Sequence, residues 1–472
     1  MAITLFKSQP IRDLSGGVIS NVADIKSPPN VSREAINFHF DKIGRATQRG
    51  GTTKLGATVE SGQTCTGLFN FINAAGTTNR LIAGFNASAY AYNGSTWSSV
   101  RSSLDGTPIR MASFADKVIM VGGGAAPAAS SGGAFADDAL ITNMPTTTIV
   151  GSFKERVYCA GNSDNPDRLY RSTIISTAGT ITWNTTTQYI DINPEDDNNL
   201  TGFAVIADYM LLFKKYSMYR FNGNSVSSQN AVQIGAPSQE AITTAKGIVF
   251  FFSTSPLGIF ITVGGTPQEI SQPVADWLEA IPASRYASIA LSSDSNHVYV
   301  SIGDVTRNGR NYTNIHIVYT ISSQVWAIDS YADEFYRLAR YIDTSGNVTL
   351  VGGDTDGDVQ TLNSGTTDNT SPIQYEYSFH ELEYDSRGTL KTVSDVALYL
   401  QNGAGAFLTV SEDGKPHRNI AQAKDNITIK KGLDIRGNYF TFKVSGQNRT
   451  TPVILDGMEV ITAHTHGFIE NS

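Results

Sequence analysis

The sequence predicts an all-β protein built around a β-propeller, and three observations support this fold class. Gly (43 residues), Ser, Thr and Asn are abundant, whereas long stretches of Ala, Glu, Lys and Leu are absent. Short runs alternate apolar and polar residues between Gly and Asn turns, which is typical of antiparallel strands. A strand–turn unit of about 40 residues recurs along the middle of the chain, as blades of a propeller do.

The unit is clearest between Cys65 and Val100, where four short strands are separated by polar turns such as Asn93-Gly94. A lone four-stranded sheet leaves both faces in water, so such a unit requires neighbours. About seven units fit between residues 60 and 365, with Trp97, Trp183 and Trp326 at similar places. The alternative for this region is a two-sheet sandwich followed by another β domain.

Three regions are expected: an N-terminal extended arm (1–55), a β-propeller (56–365) and a C-terminal β-sandwich or barrel-like domain (366–472). The arm contains Gly16-Gly17, Pro28-Pro29 and Gly50-Gly51. It cannot bury a core by itself, so it should dock on another part of the chain or on a partner.

Two segments of the middle region break the strand pattern. Residues 122–135 are rich in Gly, Ala and Ser, which predicts a flexible surface insertion. Residues 271–281 predict a short helix between two blades, capped by Ser271, with Trp277 packed on the propeller.

Charge and cysteine content exclude several function classes. The net charge is −8, which disfavours tight binding of nucleic acid by the whole surface. The arm is the exception, with 8 Lys and Arg against 4 Asp and Glu. The two cysteines, Cys65 and Cys159, are expected to be buried free thiols. We expect neither a signal peptide nor a membrane-spanning segment.

Four groups of residues are candidates for catalytic or metal sites. Asp354, Asp356 and Asp358 have the spacing of a Ca²⁺ loop but lack its final Glu, so a tight Asp-Gly turn is the better interpretation. His464 and His466 would face one side of a strand and could bind a metal, although surface or interface histidines are favoured. His380-Glu381 begins like a zinc-protease helix but lies in a strand context.

The fourth group is the acid pair Asp196-Asp197, and such pairs are common on an acidic surface without a catalytic role, which depends on the distance between the two carboxylates. No nucleophile elbow, phosphate loop or dinucleotide fingerprint is present in the sequence. We therefore predict no catalytic residue, no metal ligand, no cofactor and no enzymatic activity.

Both ends of the chain resemble one protein family. Near the start stand Leu14-Ser15-Gly16-Gly17, then Ala35-Ile36-Asn37, Gly44-Arg45 and Arg49-Gly50. Near the end stand IRGNYFTFKVSGQ, from residue 435, and LDGMEV, from residue 455. In this order, with a propeller between them, the segments resemble the tail nozzle (tail tubular hub, packaged-DNA stabilisation-type) proteins of short-tailed bacteriophages.

The resemblance implies a structural subunit of the phage tail that forms a hexameric ring around the DNA channel. Such a ring retains packaged DNA and passes it during ejection. The implied partners are copies of the chain itself, an upstream adaptor or connector ring, tail fibres or spikes, double-stranded DNA in transit without specific binding, and the host envelope. The implied location is the virion, after synthesis in the host cytoplasm. Assembly residues carried over from the motif are Gly16, Gly17, Arg45, Arg49 and Gly50.

A conduit for DNA should have a wall that does not hold phosphates. We therefore expect a channel lined by acidic and small polar side chains, with Glu195–Asp197 and Asp354–Asp358 as candidates, and a basic arm that faces neighbouring subunits. Two alternatives remain open at this point. One is a secreted or surface β-propeller that binds or cleaves glycans, and the other is a virion receptor-binding protein.

Overall fold

The computed structural model describes residues 3–21, 28–136, 140–174, 179–193, 199–343, 345–382, 390–447 and 451–466. This part of the chain is almost entirely β, which confirms the predicted fold class. Helical structure is limited there to α1 (Ala275–Glu279) and to 3-10 turns at Gln239–Ala241, Gln272–Val274 and Ala283–Ser288. None of these helices has the length and apolar character needed to cross a membrane.

The first 54 residues contribute strands to sheets that the rest of the chain completes. These strands are β1 (Ile3–Ile11), β2 (Glu34–Ile36), β3 (Phe38–His39), β4 (Ala46–Gln48) and β5 (Thr52–Lys54). Each joins a sheet that contains strands from the propeller or from the C-terminal region. The arm therefore docks on its own chain, as its lack of a core predicts.

Seven sheets follow one another in the middle region, and we number them as blades 1 to 7. Blade 1 consists of β6 (Cys65–Ile72), β7 (Asn79–Phe85), β8 (Ser88–Tyr92) and β9 (Trp97–Arg101). Blade 2 consists of β10 (Ile109–Phe114), β11 (Lys117–Gly122) and β12 (Ala128–Ser130). Blade 3 consists of β14 (Ile149–Phe153), β15 (Arg156–Ala160), β16 (Arg168–Arg171) and β18 (Tyr189–Asp191). A short parallel pair, β13 (Ile141–Thr142) and β17 (Ile181–Thr182), lies outside these sheets.

Blades 4 to 7 follow the same antiparallel pattern. Blade 4 consists of β19 (Leu200–Ile206), β20 (Tyr209–Lys214), β21 (Met218–Phe221) and β22 (Val226–Val232), and blade 5 of β23 (Ile242–Ala245), β24 (Ile248–Thr254), β25 (Leu257–Thr262) and β26 (Gln268–Glu269). Blade 6 consists of β27 (Ala290–Ser293), β28 (His297–Arg307), β29 (Arg310–Thr320) and β30 (Val325–Ser330). Blade 7 contains β31 (Phe335–Ile342), β32 (Val348–Asp354) and β33 (Val359–Leu362).

The ring closes through the N-terminal arm. The first strand of each blade contacts the first strand of the next, and β31 of blade 7 contacts β6 of blade 1. Blade 7 receives its fourth strand from β5, which lies antiparallel to β33 with Thr52 opposite Leu362. Because a strand from before blade 1 completes blade 7, backbone hydrogen bonds hold the two ends of the ring together. Six blades thus have four strands, and blade 2 has three.

The C-terminal region forms a β-sandwich. Two strands that precede it, β34 (Thr367–Asp368) and β35 (Ser371–Pro372), extend the sheet of blade 7. The strands of the sandwich that follow are β36 (Gln374–Ser378), β37 (Lys391–Gln401), β38 (Phe407–Glu412), β39 (Arg418–Gln422), β40 (Asn426–Lys430), β41 (Ile435–Gly437), β42 (Phe440–Gln447) and β43 (Ile454–His466). One sheet has the order β2-β36-β42-β38-β39, and the other has the order β3-β4-β43-β37-β40 with β1 on β43 and β41 on β37. Side chains from both sheets, including Leu398 and Phe442, belong to one buried core.

Strand β2 joins the propeller to the sandwich. Ile36 pairs in parallel with Ile328 of β30, the fourth strand of blade 6. On its other side, β2 pairs antiparallel with β36 of the sandwich. The sheet of blade 6 therefore continues through the arm into the sandwich as nine strands. One apolar core correspondingly spans the arm, blades 5 to 7 and the sandwich.

Residues 122–135 differ from the expectation of a surface insertion. Within them β12 (Ala128–Ser130) pairs with β11 as the third strand of blade 2, and all three of its residues are buried. Their small side chains suit a buried strand, but small-residue composition is also typical of flexible loops. The expectation was therefore wrong for β12.

The short helix lies where the sequence placed it, with Trp277 fully buried and its ring 4.9 Å from that of Tyr312. Ser271 does not cap it; the Ser271 hydroxyl accepts a hydrogen bond from the Ile259 N–H at 3.0 Å instead. Trp97 and Trp326 lie on the fourth strands of their blades, whereas Trp183 forms an isolated bridge with Ser172.

Candidate functional site

Gly16 and Gly17 lie where the arm crosses the edge of blade 6. A side chain on Gly17 would place its Cβ 2.8 Å from the carbonyl oxygen of Trp326, and the φ of Gly17 is +72°. A Cβ on Gly16 would lie 2.6 Å from Val31 Cγ1. The next residue, Val18, donates its N–H to the Trp326 carbonyl at 2.8 Å. Gly17 therefore allows the arm to approach blade 6, whereas Gly16 allows two segments of the arm to pack against each other. The role of both glycines in assembly stays a prediction.

Arg49 is fully buried where the arm, blade 6 and β34 meet. Its guanidinium donates five hydrogen bonds: to Asn37 Oδ1 (2.7 Å), the Gly50 carbonyl (2.8 Å), Asp368 Oδ1 (2.8 Å), Asp368 Oδ2 (2.7 Å) and the Ser330 carbonyl (2.6 Å). The guanidinium carbon also lies 3.9 Å from the centre of the Tyr331 ring. Every donor of this side chain is thus used inside the chain.

Arg49 and Gly50 therefore fix the arm at a single place. A Cβ on Gly50 would lie 2.7 Å from the backbone carbon of Asn363, so the two backbones touch. The expectation that the basic arm faces neighbouring subunits is wrong for Arg49, because none of its side chain is exposed. Arg45 is different: its side chain is 46% exposed and forms an ion pair with Asp456 at 2.8 Å.

His316 is buried beside the Arg49 site. Its ring lies 4.8 Å from the Tyr331 ring, and its Nδ1 is buried without a hydrogen-bond partner in the described structure. Burial lowers the pKa of His316 to about 3, so this imidazole is neutral in the folded protein.

Two histidines and three carboxylates meet where the arm contacts blade 6. His39 Nε2 lies 2.9 Å from Asp329 Oδ2, His297 Nδ1 lies 3.0 Å from Asp294 Oδ2, and His297 Nε2 lies 2.8 Å from Asp41 Oδ1. The two imidazole rings are 5.5 Å apart. We call these five residues the histidine cluster.

Electrostatics in the histidine cluster favour a charged His297. Burial alone would lower its pKa, but hydrogen bonds and charge from Asp294 and Asp41 raise the pKa to about 10. The same contacts outweigh burial at Asp294 and lower the pKa of that carboxyl to about 2. Without another cation, an imidazolium therefore holds Asp41 of the arm against Asp294 of blade 6.

The sequence did not single out this cluster. The only local signal is the spacing of His39 and Asp41, which lie two residues apart in NFHFD. His297 and Asp294 are more than 250 residues away in the chain, and no periodicity or motif connects them to the arm.

Asp354 and Asp358 do not line a channel, contrary to the expectation. Both are buried in the turn between β32 and β33. Asp354 Oδ1 accepts the backbone N–H groups of Asp356 (3.0 Å) and Asp358 (2.8 Å), and Asp358 forms an ion pair with Lys54 at 2.6 Å. The interpretation of this segment as a tight turn is confirmed.

The remaining sequence candidates are not brought together into a site. Glu195–Asp197, which includes the acid pair, lies outside the described residues. The backbones of His464 and His466 belong to β43, and their side chains lie outside the described part. His380 and Glu381 are buried just after β36 rather than on a helix. Cys65 and Cys159 are buried free thiols, as predicted, and burial raises the pKa of each to about 12.

A cavity of about 460 Å³ lies on the axis of the propeller, lined by the first strands of six blades. Inside it, Arg110 forms a bidentate ion pair with Glu240 at 2.8 and 2.9 Å. Although burial opposes ionisation, Arg110 lowers the pKa of Glu240 to about 2. This volume is that of a small-molecule pocket, and it is far too small to pass a DNA duplex.

The outer face of the sandwich exposes apolar side chains on an edge strand. On β40 the alternation is inverted: Ile427 is 50% exposed and Ile429 is 58% exposed, whereas Thr428 between them is buried. Tyr399 and Ala397 of β37 lie directly opposite the two isoleucines. We call these four residues the isoleucine face.

Comparisons with known proteins identify no family. No family model matches the chain, and no curated protein matches it. Among solved structures, YCF48 bound to D1 peptide is 11% identical with a TM-score of 0.39, covering 67% of this chain and 96% of that chain. The Neurospora crassa Pan2 WD40 domain is 9% identical with a TM-score of 0.41, covering 66% and 94%.

An exo-beta-1,3-galactanase from Phanerochaete chrysosporium is also similar, at 13% identity and a TM-score of 0.30, with 87% of this chain and 100% of that chain covered. These values are too low to carry any inference about function. The fold assignment therefore rests on the ring of sheets described above.

Proposed function

We propose that this chain is a structural, non-enzymatic subunit of a short-tailed phage tail, where copies form a ring around the DNA channel. The ring would retain packaged DNA and release it during ejection. The order of the glycine and arginine motifs in the arm, followed by a propeller and a C-terminal β domain, supports this proposal through its resemblance to tail nozzle proteins.

The observation that carries the proposal is the isoleucine face. In a strand with one buried face, polar side chains normally point to water and apolar ones to the core. Strand β40 does the reverse, with Ile427 and Ile429 outside and Thr428 inside. It is also the last strand of its sheet, so its free backbone edge adds hydrogen-bonding capacity. Such an edge favours a lasting contact with another protein surface.

A second copy of the chain is the partner that we propose for this face. A head-to-tail contact between an edge on one subunit and a different surface on the next generates a closed ring when the rotation closes. The DNA channel would then lie between subunits, because the axial cavity of the propeller is only about 460 Å³. Acidic and small polar side chains would line this channel, but Asp354 and Asp358 would not be among them because both are buried.

The oligomeric state of the purified full chain, measured by sedimentation velocity, tests the proposal. We expect a discrete assembly of about six copies, in keeping with the ring architecture the resemblance implies. The double variant Ile427→Asp and Ile429→Asp should weaken assembly by at least about tenfold in dissociation constant, because buried carboxylates replace apolar contacts.

The matched control is Val263→Asp, which adds one charge to a residue that is 68% exposed after β25 of the propeller. It should leave assembly unchanged. A wild-type chain that stays monomeric at all concentrations, and that binds or hydrolyses polysaccharide, would contradict the proposal and favour a glycan-directed propeller.

A further inference from the structure

We propose that His39, Asp41 and His297 form a binding site for a divalent transition-metal ion, of which Zn²⁺ is the best match, and that the ion fastens the arm to blade 6. One ligand atom from each residue lies within 4.8 Å of the other two. Two imidazoles and one carboxylate are a donor set suited to zinc, which leaves at least one coordination position for water.

The surroundings of the two histidines are those of ligands that are held in place. His39 contacts the fully buried Asp329, and His297 contacts Asp294, which also accepts a hydrogen bond from the Tyr299 hydroxyl at 3.2 Å. Metal-binding imidazoles almost always have such a carboxylate partner, which orients the ring and increases its basicity. Asp294 and Asp329 are therefore positioning residues in this proposal.

Access and flexibility also fit a metal site. The His39 side chain is 9% exposed and that of His297 is 14% exposed, so the rings are fixed, whereas Asp41 is 41% exposed at the rim. Tetrahedral zinc ligands at about 2.0–2.1 Å from the ion lie about 3.4 Å apart. His297 Nε2 and Asp41 Oδ1, which are 2.8 Å apart, would therefore separate slightly, whereas a pair at the 4.8 Å limit would close by about 1.4 Å. The exposed Asp41 is the side chain with room to adjust.

The consequence is a link between distant parts of the chain. Asp41 lies in the turn after β3, and His297 begins β28, so the ion would tie the arm to blade 6 at 256 residues of separation. This inference stands on the single chain and does not depend on ring formation or on a phage role.

The test is Zn²⁺ binding to the untagged full chain, after removal of metal with a chelator and dialysis, by calorimetry and by metal analysis. The background variant carries His464→Asn and His466→Asn, which removes the two histidines near the C-terminus as competing ligands. We expect one Zn²⁺ per chain, and no response to Mg²⁺, which requires oxygen ligands.

Three variants assign the site. Asp41→Asn and His297→Asn should each lower affinity at least tenfold, and Asp294→Asn should lower it by about 10–100-fold through the orientation of His297. His417→Asn, at an exposed histidine of the sandwich, is the control and should change nothing. Because Asp41 lies on an exposed turn, its variant keeps the test valid if His297→Asn fails to fold.

A second measurement does not depend on affinity. Lys42 and Arg45 are exposed trypsin sites in the turn after Asp41. Zn²⁺ should slow cleavage there several-fold in the background variant and not in Asp41→Asn. The proposal is overturned if the background variant binds no Zn²⁺, or if the Asp41 and His297 variants bind it as tightly as that variant does.

Discussion

Replacing Arg49 by methionine should destabilise the protein more than any surface substitution in the arm. The change keeps most of the side-chain volume but removes the charge that pairs with Asp368, whose side chain is only 5% exposed. It also leaves the Ser330 carbonyl and Asn37 Oδ1 without this donor. Removing one partner of a buried ion pair costs about 3–5 kcal/mol, because the other charge stays buried.

The double variant Arg49→Met with Asp368→Asn separates this pair from its surroundings. It should cost clearly less than the sum of the two single variants, because no unpaired charge remains. Arg45→Met is the matched control, since its ion pair with Asp456 is 46% and 24% exposed. That variant should cost less than about 1 kcal/mol.

Urea unfolding followed by tryptophan fluorescence measures these differences, with circular dichroism as a check that the transition is two-state. Trp326 is a suitable reporter because it lies on β30, the strand that pairs with the arm. The reasoning would be refuted if Arg49→Met lost no more stability than Arg45→Met, or if the two substitutions at the buried pair were simply additive.

Two further predictions concern the arm and pH. Gly17→Ala should cost at least about 1–2 kcal/mol more free energy of unfolding than Gly62→Ala. Both glycines have a φ of +72°, but only a Cβ on Gly17 would contact the Trp326 carbonyl. The unfolding midpoints of the two variants measure this difference. His316 has a folded pKa of about 3, so below about pH 6.5 the unfolded chain takes up a proton that the folded chain refuses, and stability falls as pH decreases. His316→Leu should therefore lack about 2 kcal/mol of the destabilisation between pH 7 and pH 5, and an unchanged pH profile would contradict the burial of a neutral imidazole.

Local alternation predicted the strands of the propeller well, because each blade is built from neighbouring segments. The four strands β6 to β9 occupy the stretch identified in the sequence, and the seven sheets of the middle region agree with the expectation of about seven strand–turn units. The strands of the sandwich were also predicted where apolar and polar residues alternate cleanly, as in β42. Residues 122–135 show the limit, since small side chains serve a buried strand and a loop equally well.

Pairings across the chain could not be predicted in the same way. Alternation fixes which side chains face the core, but it does not identify the partner of a strand. The pairs β5 with β33 and β2 with β30 join residues about 300 positions apart. For the same reason the motif brought attention to Arg49 without its partner Asp368, and the histidine cluster had no signal beyond His39 and Asp41.

Imaging of the purified full chain by electron cryomicroscopy tests the central claim most directly. The account predicts a closed ring of about six copies, with the isoleucine face buried between subunits and a central opening wide enough for a DNA duplex. It further predicts that DNA binding at physiological salt is weak, since a conduit must let phosphates pass. Particles that are single propellers, or a ring whose lumen is strongly basic and holds DNA in a salt-sensitive manner, would contradict it.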